Sequence, residues 1–166
     1  MASGRRGPTG GIRSRRRGGE AARGHRVPAL GLREFPCGRD DERLSFSSFA
    51  LTVRPGPARP HFHTRSAEMF YILDGTAQLL SGDRVVTAEQ GDLVVVPPGA
   101  AHAFAAAPGQ DSDILIVITP GVERFEYFRH LERVGLGKVP PETLLEVQEL
   151  YDNHFLASEA WEGRRD

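Results

Sequence analysis

Cysteine is almost absent from this 166-residue chain: Cys37 is the only one. No disulfide can form within the chain, and nothing marks a stapled, secreted fold, so a reducing, cytoplasmic setting is expected. Cys37 stands in a Pro-Cys-Gly turn with no neighbouring histidine to activate it, and reads as a loop thiol. Long apolar runs are also missing. The longest, around Val94 to Val96 and Ile114 to Ile118, have the length of strands, which excludes a membrane-spanning helix. There is no phosphate-binding glycine loop, no Gly-x-Ser-x-Gly elbow and no Cys-x-x-Cys pair.

Acidic residues are scarce at one end only. Residues 1–28 hold eight arginines against the single acid Glu20, whereas the rest of the chain holds 13 basic and 21 acidic side chains. A basic tail therefore precedes an acidic body. Residues 1–30 also contain seven glycines and only scattered apolar positions, so a disordered Arg/Gly-rich tail is expected. No aromatic residues are interleaved for base stacking, and no helix-turn-helix pattern precedes the body, so nucleic acid is not the expected partner. No apolar segment follows Arg15 to Arg17, which excludes a signal peptide, and the glycines would break the helix of a transit peptide. A dispensable tail, or a start codon placed too far upstream, is the reading that remains.

From Leu44 to Thr119 short apolar runs alternate with turn signals at close intervals. The predicted strands are Leu44 to Val53, His61 to His63, Glu68 to Leu73, Ala77 to Ser81, Arg84 to Ala88, Leu93 to Val96, His102 to Ala106 and Asp113 to Thr119. Turns are expected at Pro55 to Pro57, Asp74-Gly75, Gly82-Asp83, Gly91-Asp92, Pro97 to Gly99 and Pro108-Gly109. Eight short strands so joined need a closed or two-sheet arrangement to hide their edges, giving an all-β barrel over residues 31–120. After Pro120 the apolar period lengthens. Val122, Phe125, Phe128 and Leu131 form one stripe, and Leu144, Val147, Tyr151 and either His154 or Phe155 a second. Residues 121–160 are thus expected to form a helical extension of two helices packed on the outside of the barrel.

Three of the six histidines fall in the barrel region. His61 and His63, two apart in a strand, point to the same face, while Phe62 points away. Glu68 opens the next strand and can fold back onto the same interior. A carboxylate beside two imidazoles makes the two-histidine, one-carboxylate set that binds divalent transition metals. His102, after the Pro97-Pro98-Gly99 turn, is the natural fourth ligand. Three imidazoles and a carboxylate converging in an apolar barrel would be costly without an ion. His25, His130 and His154 are assigned no role, the latter two being placed on solvated helix faces. Phe46, Phe70, Ile72, Val94, Val96, Phe104 and Leu115 line the pocket or simply fill the core.

This spacing resembles the cupin superfamily, in its type-2 domain. The first motif reads Gly56, four residues, His61-Phe62-His63, four residues, Glu68, six residues, Gly75; the usual pattern has five residues after that first glycine. The second reads Gly91, five residues, Pro97-Pro98-Gly99, two residues, His102, with Ala106 where the family often has asparagine. The segment Ile118 to Phe125 and the helices after it are similar to the quercetin dioxygenase-like branch. That resemblance implies a jelly-roll barrel, a double-stranded β-helix, with one metal ion on His61, His63, Glu68 and His102. It also implies dioxygenase chemistry on a small enol- or phenol-type metabolite, such as a flavonol or diketone, and a homodimer.

Iron(II) is the first expectation for the metal, with nickel, manganese, cobalt, copper or zinc also compatible, because nitrogen and oxygen donors select weakly among them. Glu68, primarily a ligand, is also the candidate catalytic base. Two other readings use the same site: isomerase, cyclase or lyase chemistry without oxygen, and a non-catalytic module that binds a small ligand.

Overall fold

The computed structural model describes residues 26–27, 32–34, 47–56, 58–121 and 124–165. Ten strands lie among them: β1 (Arg26–Val27), β2 (Leu32–Glu34), β3 (Ser47–Val53), β4 (His61–Phe62), β5 (Ala67–Ser81), β6 (Arg84–Glu89), β7 (Leu93–Val96), β8 (His102–Ala106), β9 (Ser112–Thr119) and β10 (His154–Phe155). Every pairing is antiparallel. Phe46, Cys37 and His25 lie outside the described residues, as does most of the expected tail. Arg26 and Val27, placed in that tail by the sequence, pair with Arg33 and Leu32 as β1.

The fold turns on β5. Its first half pairs with β9 on one side and β7 on the other; its second half pairs with β8 and β6. One long strand therefore belongs to two facing sheets, and the barrel closes around it. The expected Asp74-Gly75 turn is overturned: the chain runs on through a register irregularity between Ile72 and Asp74. Gly75 makes the bend possible. It adopts φ 74°, and a Cβ there would meet the carbonyl oxygen of Asp111 on β9's approach. An Asp-Gly pair thus serves a strand crossing from sheet to sheet as well as it serves a hairpin.

Alternation sets the core. Phe70 and Ile72 of β5, and Ile114, Ile116 and Ile118 of β9, point inward and are almost fully buried, while Tyr71 and Leu73 face out. Each such inward side chain contributes about 1.5–3 kcal/mol by leaving water. Glu68 has the same parity as Phe70 and Ile72 and lies between Val96 and Ile118 in the sheet, so a carboxylate occupies a core position.

The extension differs from the two expected outer helices. α1 (Phe125–Gly135) forms where the stripe predicts it. It packs on the barrel's open end: Phe128 meets Phe49 of β3 with ring centroids 4.8 Å apart, and Phe128 and Leu131 line the cavity beneath. The second stripe becomes a 3-10 helix over Pro141–Val147 followed by the four-residue α2 (Gln148–Tyr151). A third helix, α3 (Glu159–Glu162), follows, capped by the Ser158 hydroxyl. Trp161 of α3 packs on Leu80, Ala103 and Ala105, the outward residues of the second sheet, whose small alanines leave room for the indole. Among the described residues, no helix is long and apolar enough to cross a membrane.

Candidate metal centre

The strand register brings the four chemistry-bearing residues together from both sheets. His61 of β4 sits directly across from His102 of β8, with ring centroids 4.3 Å apart. His63 follows β4 at once, held by a hydrogen bond from Gly99 N–H to its carbonyl at 2.7 Å. Glu68 enters from β5. One donor atom from each lies within 4.8 Å of the others, and His63, Glu68 and His102 are buried. These four side chains could hold a divalent metal ion.

The chemistry of the donor set fits such an ion. Each imidazole has its Nδ1 on a main-chain carbonyl: His61 on Arg59 at 3.2 Å, His63 on Asp152 at 2.5 Å and His102 on Ala100 at 3.0 Å. A carbonyl only accepts, so the proton belongs on Nδ1 and the Nε2 lone pair faces inward. Yet the Nε2 atoms of His63 and His102 stand 2.8 and 2.9 Å from Glu68 Oε2. Acceptor then meets acceptor, unless a second proton or a metal cation lies between.

Protonation favours the cation. Burial pushes His61 down to about 3, helped by His102 alongside. Burial acts to raise Glu68, but a proton on the Nε2 atoms of His102 and His63, the place a cation would take, outweighs it and holds the carboxyl below its ordinary range. A neutral His61 and an ionised Glu68 are the forms that ligate a metal.

Four further residues surround the centre that sequence reasoning did not single out. Asp152 adopts a left-handed conformation, φ 49°, at the end of α2. Its carboxylate accepts from Thr64 N–H, Thr64 Oγ1 and Arg65 N–H at 2.8, 2.6 and 3.1 Å, while its carbonyl holds His63. An Asp-Asn pair inside the second predicted stripe was the available signal, since both residues tolerate the left-handed region that ends a helix. Arg124 is buried. Its NH1 and NH2 lie 3.1 and 3.2 Å from the two ring nitrogens of His63, and NH2 also donates to the Asp152 carbonyl at 3.2 Å. Burial draws Arg124 down and Glu68 pulls it back up. Tyr127, raised by burial, and Asn153 complete the set. Arg124 lies in the Ile118 to Phe125 segment that carried the resemblance, but no apolar period marks it, because the segment before α1 is irregular.

The centre opens, through His61, His63 and Glu68, onto a cavity of about 290 Å³. Phe49, Phe104, Ile118, Phe128, Leu131 and Leu144 supply apolar walls, and His61, His63, Glu68, Arg59, Arg124 and Asn153 supply polar groups. Of the residues offered by the sequence as pocket lining, Phe104 lines it; Phe70, Ile72 and Val96 are core. His154 is not on a helix face: it lies in β10 and stacks on Phe62 at 5.1 Å. His130 is on α1 as expected, partly buried, with its Nε2 2.6 Å from Thr143 Oγ1.

A two-sheet antiparallel barrel with a three-histidine, one-carboxylate centre at its mouth defines the class of protein. Residues 49–119 match the model of the cupin domain family. Comparison with curated proteins gives no match. Among solved structures, the chain is similar to a cupin-2 domain-containing protein from Shewanella frigidimarina, at 24% identity and TM-score 0.44, covering 52% of this chain and 76% of that one. It is similar to a conserved protein with a double-stranded β-helix domain from Klebsiella pneumoniae (16%, 0.47, 58% and 82%). It is also similar to KdgF from Halomonas sp. (18%, 0.46, 56% and 82%). These likenesses concern the fold alone.

Proposed function

We propose that the protein is a mononuclear metal-dependent dioxygenase acting on a small enol- or phenol-type metabolite, with His61, His63, Glu68 and His102 as the ligands. The observation that carries this reading is the opening of His61, His63 and Glu68 of the histidine-carboxylate quartet onto an apolar-walled cavity of about 290 Å³. A bound divalent ion, iron(II) first among the candidates, supplies Lewis acidity toward an acidic substrate oxygen and a meeting place with dioxygen. The chain's own residues do the rest. Phe49, Phe104, Phe128 and Leu131 hold the substrate body and exclude water. Glu68 would hold the ion and would also be the base placed to accept the enol proton. The substrate is oxidised and dioxygen reduced, both oxygen atoms entering the products.

Buried Arg124 beside the centre favours a second reading, in which a substrate anion is isomerised, cyclised or cleaved without oxygen. Oxygen uptake separates the two. The test is elemental analysis of the wild type beside a His61→Ala, His102→Ala double variant, with oxygen consumption recorded on flavonols and diketones. About one metal per wild-type chain, none in the variant, and uptake by the wild type alone are expected. Metal without uptake leads to the second reading or to a ligand-binding module; no metal after reconstitution sinks both enzymes.

The homodimer proposed by resemblance was expected at an edge such as Leu44 to Val53, where β2 pairs with Phe49 and Ala50 of β3. β7 pairs only with β5 among the described residues and exposes Leu93 and Val95, so its edge is the one we assign. Sedimentation of wild type and Val95→Lys checks it.

A further inference from the structure

The cavity holds two buried nitrogen donors with no partner: Arg124 Nε and Asn153 Nδ2. Both residues line the cavity, and both come from the irregular segments that flank the helices, not from the barrel. An unmet buried donor costs roughly 1–3 kcal/mol, so two on residues that line one cavity imply a ligand that meets them.

Charge points the same way. Among the cavity's lining residues the cations are Arg59 and Arg124 and the only carboxylate is Glu68. Asp152 lies behind His63 and is matched by Arg65 at 3.6 Å. Among the described residues no carboxylate lies within ion-pair distance of Arg124. The lining thus carries one excess positive charge, and a divalent metal raises it to three. Set in apolar walls, that excess calls for an anion. Arg59 is exposed and lies over the Phe155 ring at 4.5 Å, which places a cation at the cavity's mouth as well.

We infer that the substrate or ligand of this cavity is a small carboxylate with an apolar body, its carboxylate received by Arg124 Nε–H and Asn153 Nδ2–H beside the metal centre. Two planar donors suit the two oxygens of a carboxylate, whereas a phosphate would leave further oxygens unmet. The apolar body lies against Phe49, Phe128, Leu131 and Leu144. This rests on reading the cavity as the substrate site and narrows the enol- or phenol-type substrate to one that also bears a carboxylate.

The experiment is calorimetric titration of the full chain with 3-phenylpropanoate and with its neutral partner 3-phenylpropanamide, in cobalt(II)-loaded and chelator-treated protein. The carboxylate is expected to bind at least about tenfold more tightly than the amide in both forms, the gain of a charge-assisted pair. In Arg124→Gln the ratio falls toward one; Arg124→Lys recovers part of it, and Asn153→Ala weakens the carboxylate more than the amide. Equal affinities in the wild type, no binding of either, or a preference that survives Arg124→Gln would overturn the inference. If Arg124→Gln does not fold by circular dichroism, the wild-type comparison and Asn153→Ala decide. Cobalt absorption recorded in the same titrations reports the metal site separately. A protein that binds cobalt without carboxylate preference fails here alone, and one that prefers carboxylate but binds no cobalt fails as a metalloenzyme alone.

Discussion

His63 is oriented by a residue 89 positions later in the chain: its Nδ1–H donates to the main-chain carbonyl of Asp152. The carboxylate of the same Asp152 ties the Thr64-Arg65 turn, so one residue of the extension fixes both the ring and the loop that carries it. Replacing Asp152 by alanine keeps the carbonyl but frees its position. Groups that orient a metal ligand are worth about 10–100-fold in affinity. Asp152→Ala is therefore expected to lose that much in a cobalt competition titration, and Asp152→Asn, which tolerates φ 49° and still accepts from Thr64, clearly less. Wild-type affinity in Asp152→Ala would mean that the extension does not position His63.

Acid should expose the same contact. Burial acts to raise the Asp152 carboxyl, but the hydrogen bonds from Thr64 and Arg65 outweigh it and hold it at about 2 instead of 3.8. A depressed carboxyl stabilises the fold fully above its unfolded value and loses that contribution as pH falls through the folded one. The shift corresponds to about 2 kcal/mol, present above pH 4 and gone below about pH 2. Urea unfolding with chelator present should show the wild type's advantage over Asp152→Asn shrinking by about that much between pH 5 and pH 2.

His61 gives a second pH signature. In metal-free protein, burial and the neighbouring His102 lower it to about 3, so its ring is expected to stay neutral from pH 7 down to about 4. Because the unfolded chain takes up that proton near 6.5, stability falls as the pH drops from 6.5 toward 3. Histidine NMR resonances of wild type and His61→Ala with chelator identify the ring; an inflection near pH 6.5 would contradict its buried environment.

The barrel was legible because a strand that shows one face to a core must alternate, and Phe70, Ile72, Ile114, Ile116 and Ile118 keep that period without a break. The quartet was legible because His61 and His63 share a parity and Glu68 stands where an apolar residue should be. The surroundings were not. Arg124, Asp152 and Asn153 lie in irregular segments without a period, and the carbonyls that set the imidazole tautomers are main-chain atoms that any residue supplies. The reading of Asp74-Gly75 as a turn failed because local turn chemistry cannot distinguish a reversal from a strand that bends between two sheets.

That bend is testable. At Gly75 an added Cβ meets Asp111 O and lies 3.1 Å from Ser112 Cα, all main chain, at φ 74°. Gly82 shares the positive φ, 66°, but has nothing within 4 Å of the added atom. Gly82→Ala is expected to cost only the left-handed penalty, about 1 kcal/mol. Gly75→Ala adds a backbone clash and should cost about 3 kcal/mol or more by denaturant unfolding. Equal costs would place the strain of Gly75 in its dihedral alone.

Trp161, the chain's single tryptophan, links the last helix to the centre. It is 2% exposed, and its Nε1–H donates to Ala58 O at 2.8 Å, one residue before Arg59, whose carbonyl orients His61. Trp161→Ala removes the indole from Leu80, Ala103 and Ala105 and is expected to cost about 3–5 kcal/mol. Trp161→Phe keeps most of the packing and loses the hydrogen bond, leaving Ala58 O to water or unmet, at about 1 kcal/mol. If the indole acts only as a wedge, Trp161→Phe binds cobalt as the wild type does. If the Ala58 bond also steadies Arg59 and His61, cobalt affinity falls in Trp161→Phe although the protein stays folded, and we expect this second result, because the carbonyl that orients His61 belongs to Arg59, the residue next to the one that Trp161 holds.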